Sequence, residues 1–125
     1  MWVKLLKYRR YANGKIVIRN TKLFDEKEVQ DFIDSANWDG EEPLSAEQLV
    51  NAIITSSEAY STWNDDTGEL LGTLLVLSNT MHAHVALLKV SSAYAGKDVN
   101  KKLLNKFKRR YKGHVKTYCK NIMCE

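Results

Sequence analysis

Between Val85 and Tyr111 the hydrophobic pattern changes its period. Val85 to Val90 is a short apolar run with β-branched ends and no helical repeat, which suits a strand covered on both faces. From Val99 the apolar residues Val99, Leu103, Leu104, Phe107 and Tyr111 fall on one side of a helix, and Lys and Arg fill the other. The intervening turn, Ser91 to Asp98, holds one glycine, Gly96. A strand that runs through such a turn into a helix start aims several backbone N–H groups at one point. The positive end of the helix dipole lies there too, so the arrangement suits an anion.

Upstream, strand-like runs over 2–11 and 15–19 flank Asn13-Gly14, a strong hairpin signal. Asp25 with Glu28 predicts the capped start of a helix over 26–36, with Val29, Phe32 and Ile33 on its apolar face. Ser45 with Gln48 predicts a second helix over 46–57, after a loop holding the only proline, Pro43. Strands are expected over 59–63 and 70–77 around the turn 64–68, then over 84–90 and, after Gly113, over 114–120. The order strand, helix, helix, strand, strand, strand, helix, strand implies an α/β domain. Its expected mixed sheet carries helices on both faces, with 84–90 and 114–120 parallel, adjacent and splayed at one end.

At 125 residues, 44% hydrophobic, the chain is expected to be a single domain over 1–125. It has no apolar run of about 18 residues and no secretory-leader pattern, so no membrane partner is expected and the default location is cytoplasmic. Cys119 and Cys124 lack metal-type spacing and are expected to be reduced thiols. The net charge of +4 conceals an asymmetry. Residues 1–20 carry six basic side chains and no acids, 21–72 carry thirteen acids against two bases, and 96–125 carry ten bases against two acids.

The segment Leu88-Lys89-Val90-Ser91-Ser92-Ala93-Tyr94-Ala95-Gly96-Lys97-Asp98-Val99-Asn100-Lys101-Lys102-Leu103-Leu104 resembles the central motif of the GNAT superfamily of acetyl-CoA-dependent N-acetyltransferases. Val90, Tyr94, Gly96, Lys97, Val99, Leu103 and Leu104 match that motif. Ala95 stands where Arg or Gln is usual, and Asp98 and Asn100 replace its two later glycines. The resemblance implies a coenzyme A pyrophosphate held by Ala95, Gly96, Lys97, Asp98, Val99 and Asn100, and a pantetheine arm held near Leu88 and Val90. It also places Asn121 near the cofactor. Topology like that of the family spans about residues 15–121; the family's further helix and two strands are not expected before Glu125.

Asp98 is also a good N-cap for the helix that starts at Val99, and a capping carboxylate would bond the N–H groups that a pyrophosphate needs. His82 and His84, one residue apart, are the candidate catalytic bases for an amine acceptor. Trp38, Asp39, Glu41 and Glu42 lie in the loop that, by resemblance, borders the acceptor site, where an acidic rim with an aromatic suits a cationic amine or basic peptide. The leading expectation is acetyl transfer from acetyl-CoA to an amine by direct attack. The alternative is a GNAT-fold protein without catalysis that binds a protein or nucleic acid, the latter through the basic face Lys101, Lys102, Lys106, Lys108, Arg109, Arg110 and Lys112. An exposed edge at 114–120 is expected to be covered by a second copy or by a protein partner.

Overall fold

The computed structural model describes residues 16–92 and 98–119. Its elements, in order, are β1 Ile16–Asn20, α1 Glu26–Ser35, α2 Ala46–Thr55, β2 Glu58–Asn64, β3 Leu70–Ser78, β4 His82–Val90, α3 Val99–Arg110 and β5 Val115–Tyr118. The five strands form one sheet in sequence order, β1-β2-β3-β4-β5. The first three pairings are antiparallel, and β4 with β5 is parallel, as the strand–helix–strand pattern predicts. The proposed hairpin partner at 2–11 lies outside the described residues.

Two apolar layers cover the sheet. On one face α1 and α2 bury Val29, Phe32, Ile33, Leu49 and Ile53 against Trp63, Leu70 and Leu75. On the other, α3 buries Val99, Leu103 and Phe107 against Tyr60, Leu74, Val76 and Val85. Each helix therefore presents the stripe that its i, i+3, i+4 spacing dictates. Gly72 lets α3 lie close to the sheet, because a Cβ there would meet Thr62 Oγ1 at 2.8 Å and Val99 Cγ1 at 3.1 Å.

The helix ends follow local chemistry. Ser45 Oγ accepts from the Gln48 amide at 3.1 Å and Gln48 Oε1 accepts from the Ser45 amide at 2.8 Å, the reciprocal cap expected from that spacing. The second helix stops two residues before the predicted end. Ser56 turns to an extended backbone, its hydroxyl donating to Ala52 O at 2.7 Å, and the Ser57 amide joins the sheet at Val76 O. Helix α1 ends at Ser35, because Ala36 forms an extended bridge with Ser91.

One expectation about the sheet is corrected. The strand covered on both faces is β3, buried from Leu70 through Val76, rather than Val85 to Val90. In β4 only Ala83 and Val85 are buried, and every residue from Ala86 to Val90 is partly exposed. The sheet order agrees with this, since β3 has a strand on both sides from Gly72 to Val76, whereas among the described residues β4 has one on both sides only from Ala83 to Val85.

Candidate functional site

The site begins with a defect in β4. Leu75 stands opposite Leu87 while Val76 stands opposite Val85, so Ala86 is an extra residue on the β4 side. A bulge of this kind bends its strand and interrupts the ladder locally. On the other side of β4 the parallel ladder starts at His82, opposite Val115, and ends at Val85, opposite Tyr118. The Cys119 amide closes it on Val85 O at 2.9 Å. From Ala86 to Val90 the edge of β4 that faces β5 has no partner strand among the described residues. The sheet thus opens at the bulge, at the end where β4 leads toward α3, which agrees with the expected splay.

Leu88 and Val90, the expected pantetheine contacts, lie on this open edge. Beyond them, α3 begins with Val99 fully buried and with Asp98 and Asn100 exposed. The expectation that the Asp98 carboxylate caps α3 is not met: it makes no capping hydrogen bond. The cause is its backbone. Asp98 sits at φ −86°, ψ 10°, whereas a capping side chain reaches back from an extended residue. The Asn100 side chain instead accepts from the Lys101 amide at 2.9 Å. Ala95, Gly96, Lys97 and Asn121 lie outside the described residues.

The backbone present fits an extended amide-bearing ligand such as pantetheine, because strand addition needs an edge without a partner strand; among the described residues 86–90 is such an edge, with the Leu88 backbone within hydrogen-bond reach of the Cys119 side chain. The first turn of α3 has no capping hydrogen bond from Asp98, and its Lys101 amide is taken by Asn100 Oδ1.

The histidines lie elsewhere on the same strand. His82 opposes Val115 and His84 opposes Thr117, so both share one face of the paired half of β4. His84 Nδ1 is 2.7 Å from Thr117 Oγ1. At about 3.3 Å per residue, His84 is roughly 13 Å along the strand from Leu88. The structure does not bring it together with the open edge.

Sequence reasoning overlooked Lys89. It projects from the open part of β4 toward the α1–α2 loop, where its ammonium lies 3.8 Å from Asp39 Oδ2 and 5.1 Å from the centre of the Trp38 ring. The Lys89 side chain is only 12% exposed. Trp38 is buried and donates its indole N–H to Ile33 O at 3.0 Å. Asp39 adopts a left-handed backbone, φ 52°, followed by Gly40 at φ 83°. The sequence signal was present, since a lysine in an apolar strand needs a partner, and the acidic loop was the nearest supply. Cys119, on the far side of the opening, has its thiol pushed up by burial, which the positive charge of Lys89 partly offsets. A second concavity, about 290 Å³, lies between α1 and the β2–β3 turn and includes Glu28, Asp31 and Glu69 in its lining.

Among the described residues no group of three or more acids, histidines or cysteines has the arrangement of a metal site, and no helix is long and apolar enough to cross a membrane.

No protein-family model matches this chain, and no curated protein sequence matches it. Solved structures do. A Deinococcus radiodurans R1 protein with an acetyltransferase designation superposes with a TM-score of 0.70 at 16% identity, covering 90% of this chain and 74% of its own. A GNAT family acetyltransferase of Streptococcus pneumoniae TIGR4 gives 0.65 at 15%, covering 86% and 77%. The ribosomal-protein-alanine N-acetyltransferase of Brucella melitensis biovar Abortus 2308 gives 0.62 at 17%, covering 85% and 82%. At such identities the likeness speaks for architecture alone: this chain has the GNAT fold.

Proposed function

We propose that this protein binds acetyl-CoA along the open edge of β4 and transfers the acetyl group to an amine. The observation that carries the reading is the 86–90 edge, which has no partner strand among the described residues, follows the Ala86 bulge and leads toward the start of α3. Bound there, acetyl-CoA supplies an activated thioester carbonyl. The backbone at Leu88 and Val90 would hold its amide-bearing arm. The turn residues Ala95, Gly96 and Lys97, with the α3 amides at Val99 and Asn100, would hold the pyrophosphate, and Asn121 would lie beside the cofactor. The acceptor nitrogen would add to the thioester carbonyl carbon, the carbon–sulfur bond would break with coenzyme A leaving as its thiolate, and the nitrogen's proton would pass to a base. His82 and His84 are the histidines proposed for that role, reached through solvent given their distance along β4.

Asp98 provides the test. Its carboxylate is exposed at the head of α3 and caps nothing, so its effect on a pyrophosphate is repulsion alone. For charges about 4 Å apart in water that repulsion is about 1 kcal/mol. Asp98→Gly should therefore raise acetyl-CoA affinity about fivefold in calorimetry and leave the melting temperature of the free protein nearly unchanged. Absence of binding heat in both proteins would remove the acetyl-transfer reading and leave the binding-protein alternative.

We also propose that the free side of β5 meets a second copy of the chain or a protein partner. Val115 is 57% exposed, with Met81 at 67% and Leu77 at 49% nearby on the same end of the sheet. Exposed edges with apolar side chains favour pairing. Sedimentation at increasing concentration should show a dimer that Val115→Lys disrupts. A monomer at all concentrations, with no partner recovered, would contradict this.

A further inference from the structure

The face of β4 turned away from α3 carries two imidazoles in one row. Ala83 and Val85 pack into the layer under α3, so His82 and His84 point to the other side of the sheet. The register agrees with this. His84 stands between Leu77 of β3 and Thr117 of β5, and His82 stands opposite Val115. His82 is exposed and His84 half-buried. Lys116, the cation of β5, stands opposite Ala83 and so belongs to the α3 side, where it does not repel a second cation.

That row has the spacing of a chelate. Same-face neighbours on a strand lie about 6.4–6.8 Å apart, twice the rise per residue. Two imidazole nitrogens on one tetrahedral Zn²⁺, each at about 2.0–2.1 Å, lie about 3.3 Å from one another. Each ring therefore needs to lean inward by less than about 2 Å, which side chains that lean along their strand can supply. A second observation concerns the ring of His84. Its Nδ1 is 2.7 Å from Thr117 Oγ1. Metal-ligating histidines engage their other ring nitrogen in this way, which fixes the ring. With the Thr117 hydroxyl accepting from Nδ1–H, Nε2 keeps its lone pair for a metal. His114, the third histidine, meets Tyr111 edge-on at the end of α3 and takes no part.

We propose that His82 and His84 chelate one divalent transition-metal ion of the zinc class, with Thr117 as the positioning residue. Imidazole nitrogen suits zinc and copper, whereas magnesium takes oxygen ligands. Among the described residues no third acid, histidine or cysteine joins the pair, so positions on the ion stay open to water. The inference goes beyond acetyl transfer. A bound metal takes the lone pairs that a base uses, so the loaded protein holds no base at this pair and metal binding switches that role off.

The test contains no acetyl-CoA, so its outcome is independent of cofactor binding. Zinc chloride is titrated into the protein by calorimetry, and the ring-proton resonances of His82 and His84 are followed in parallel. In wild type both rings should respond together, while magnesium chloride leaves them unmoved. His82→Ala and His84→Ala should each weaken zinc binding at least tenfold, and His114→Ala should bind as wild type does. Thr117→Val should weaken it about tenfold, while Thr117→Ser, which keeps the hydroxyl, should retain it. Because thiols also take zinc, the titration is repeated with Cys119→Ser and Cys124→Ser combined, where the affinity should persist. Zinc that moves neither histidine resonance in wild type would overturn the proposal without recourse to any variant. Unchanged affinity in both single histidine variants, or binding lost with the thiols alone, would overturn it equally.

Discussion

Gly72→Val is expected to destabilise the protein by more than about 3 kcal/mol, above the usual range of 1–3 kcal/mol for overpacking a core. The reason is the closeness of α3. Even a single Cβ at position 72 would lie 2.8 Å from Thr62 Oγ1, 3.1 Å from Val99 Cγ1 and 3.2 Å from Leu103 Cδ1. These neighbours are buried on every side and have nowhere to retreat. Gly72→Ala should fall within the 1–3 kcal/mol range, read from denaturant midpoints. Thr62 offers a check on the mechanism. Its hydroxyl has no hydrogen-bond partner among the described residues, so trimming it loses little polar satisfaction and relieves the closest contact. Thr62→Ala in the Gly72→Ala background should therefore recover part of the loss, a non-additivity that neighbouring residues in contact show. Simple addition of two losses would mean that the strain lies elsewhere. Because Val99 opens α3, Gly72→Ala should also weaken acetyl-CoA binding.

The second large effect centres on Glu58, at the start of β2. Its carboxylate accepts hydrogen bonds from Tyr60 Oη and Tyr111 Oη, and Arg110 Nε lies 3.4 Å away. Tyr111, 3% exposed, ends α3, so this cluster ties the helix to the sheet at the end away from the opening. Glu58→Ala should cost roughly 1–3 kcal/mol for the Tyr60 hydroxyl it leaves without its partner, and less for Tyr111, whose hydroxyl also bonds the Ser78 side chain. The pH dependence follows from the directions of the shifts. Burial pushes the Glu58 carboxyl up, but the hydrogen bonds from Tyr111 and Tyr60 and the charge of Arg110 outweigh it, leaving the group below its ordinary 4.5. A depressed acid contributes its full stability above the unfolded value and loses it as pH falls through the folded one. Wild type should therefore lose stability on acidification below about 4.5, where Glu58→Gln loses less. Burial, and then the bond to Glu58, push both tyrosines up from 10.0. The unfolded chain ionises there first, so wild-type stability should fall as pH rises past about 10.

Much of this fold was legible because its devices are local. Ser45 with Gln48, and the 3.6-residue stripes of α2 and α3, act within one or two turns, and the structure shows them as expected. The parallel pairing of β4 with β5 followed from a strand–helix–strand order. The misreadings involve partners distant in sequence. Lys89 finds Asp39 fifty residues away, and no periodicity announces that contact. The Ala86 bulge carries no glycine or proline to mark it, since the extra residue is defined only by its register against β3. Asp98 has the right residue type for a cap, but the backbone that enters α3 sets its ψ near 10°. His82 and His84 were correctly read as sharing a face. Their distance from the opening depended on where the β4–β5 ladder stops, which no local pattern reveals.

Amide hydrogen exchange of the protein with and without acetyl-CoA tests the central claim most directly, because it reports on the β4 backbone itself. Binding along the open edge should slow exchange at residues 86–90 and at the first amides of α3, while the paired segment 82–85 changes little. Exchange at 86–90 that is unaltered by saturating acetyl-CoA, or protection confined to a different part of the chain, would contradict it.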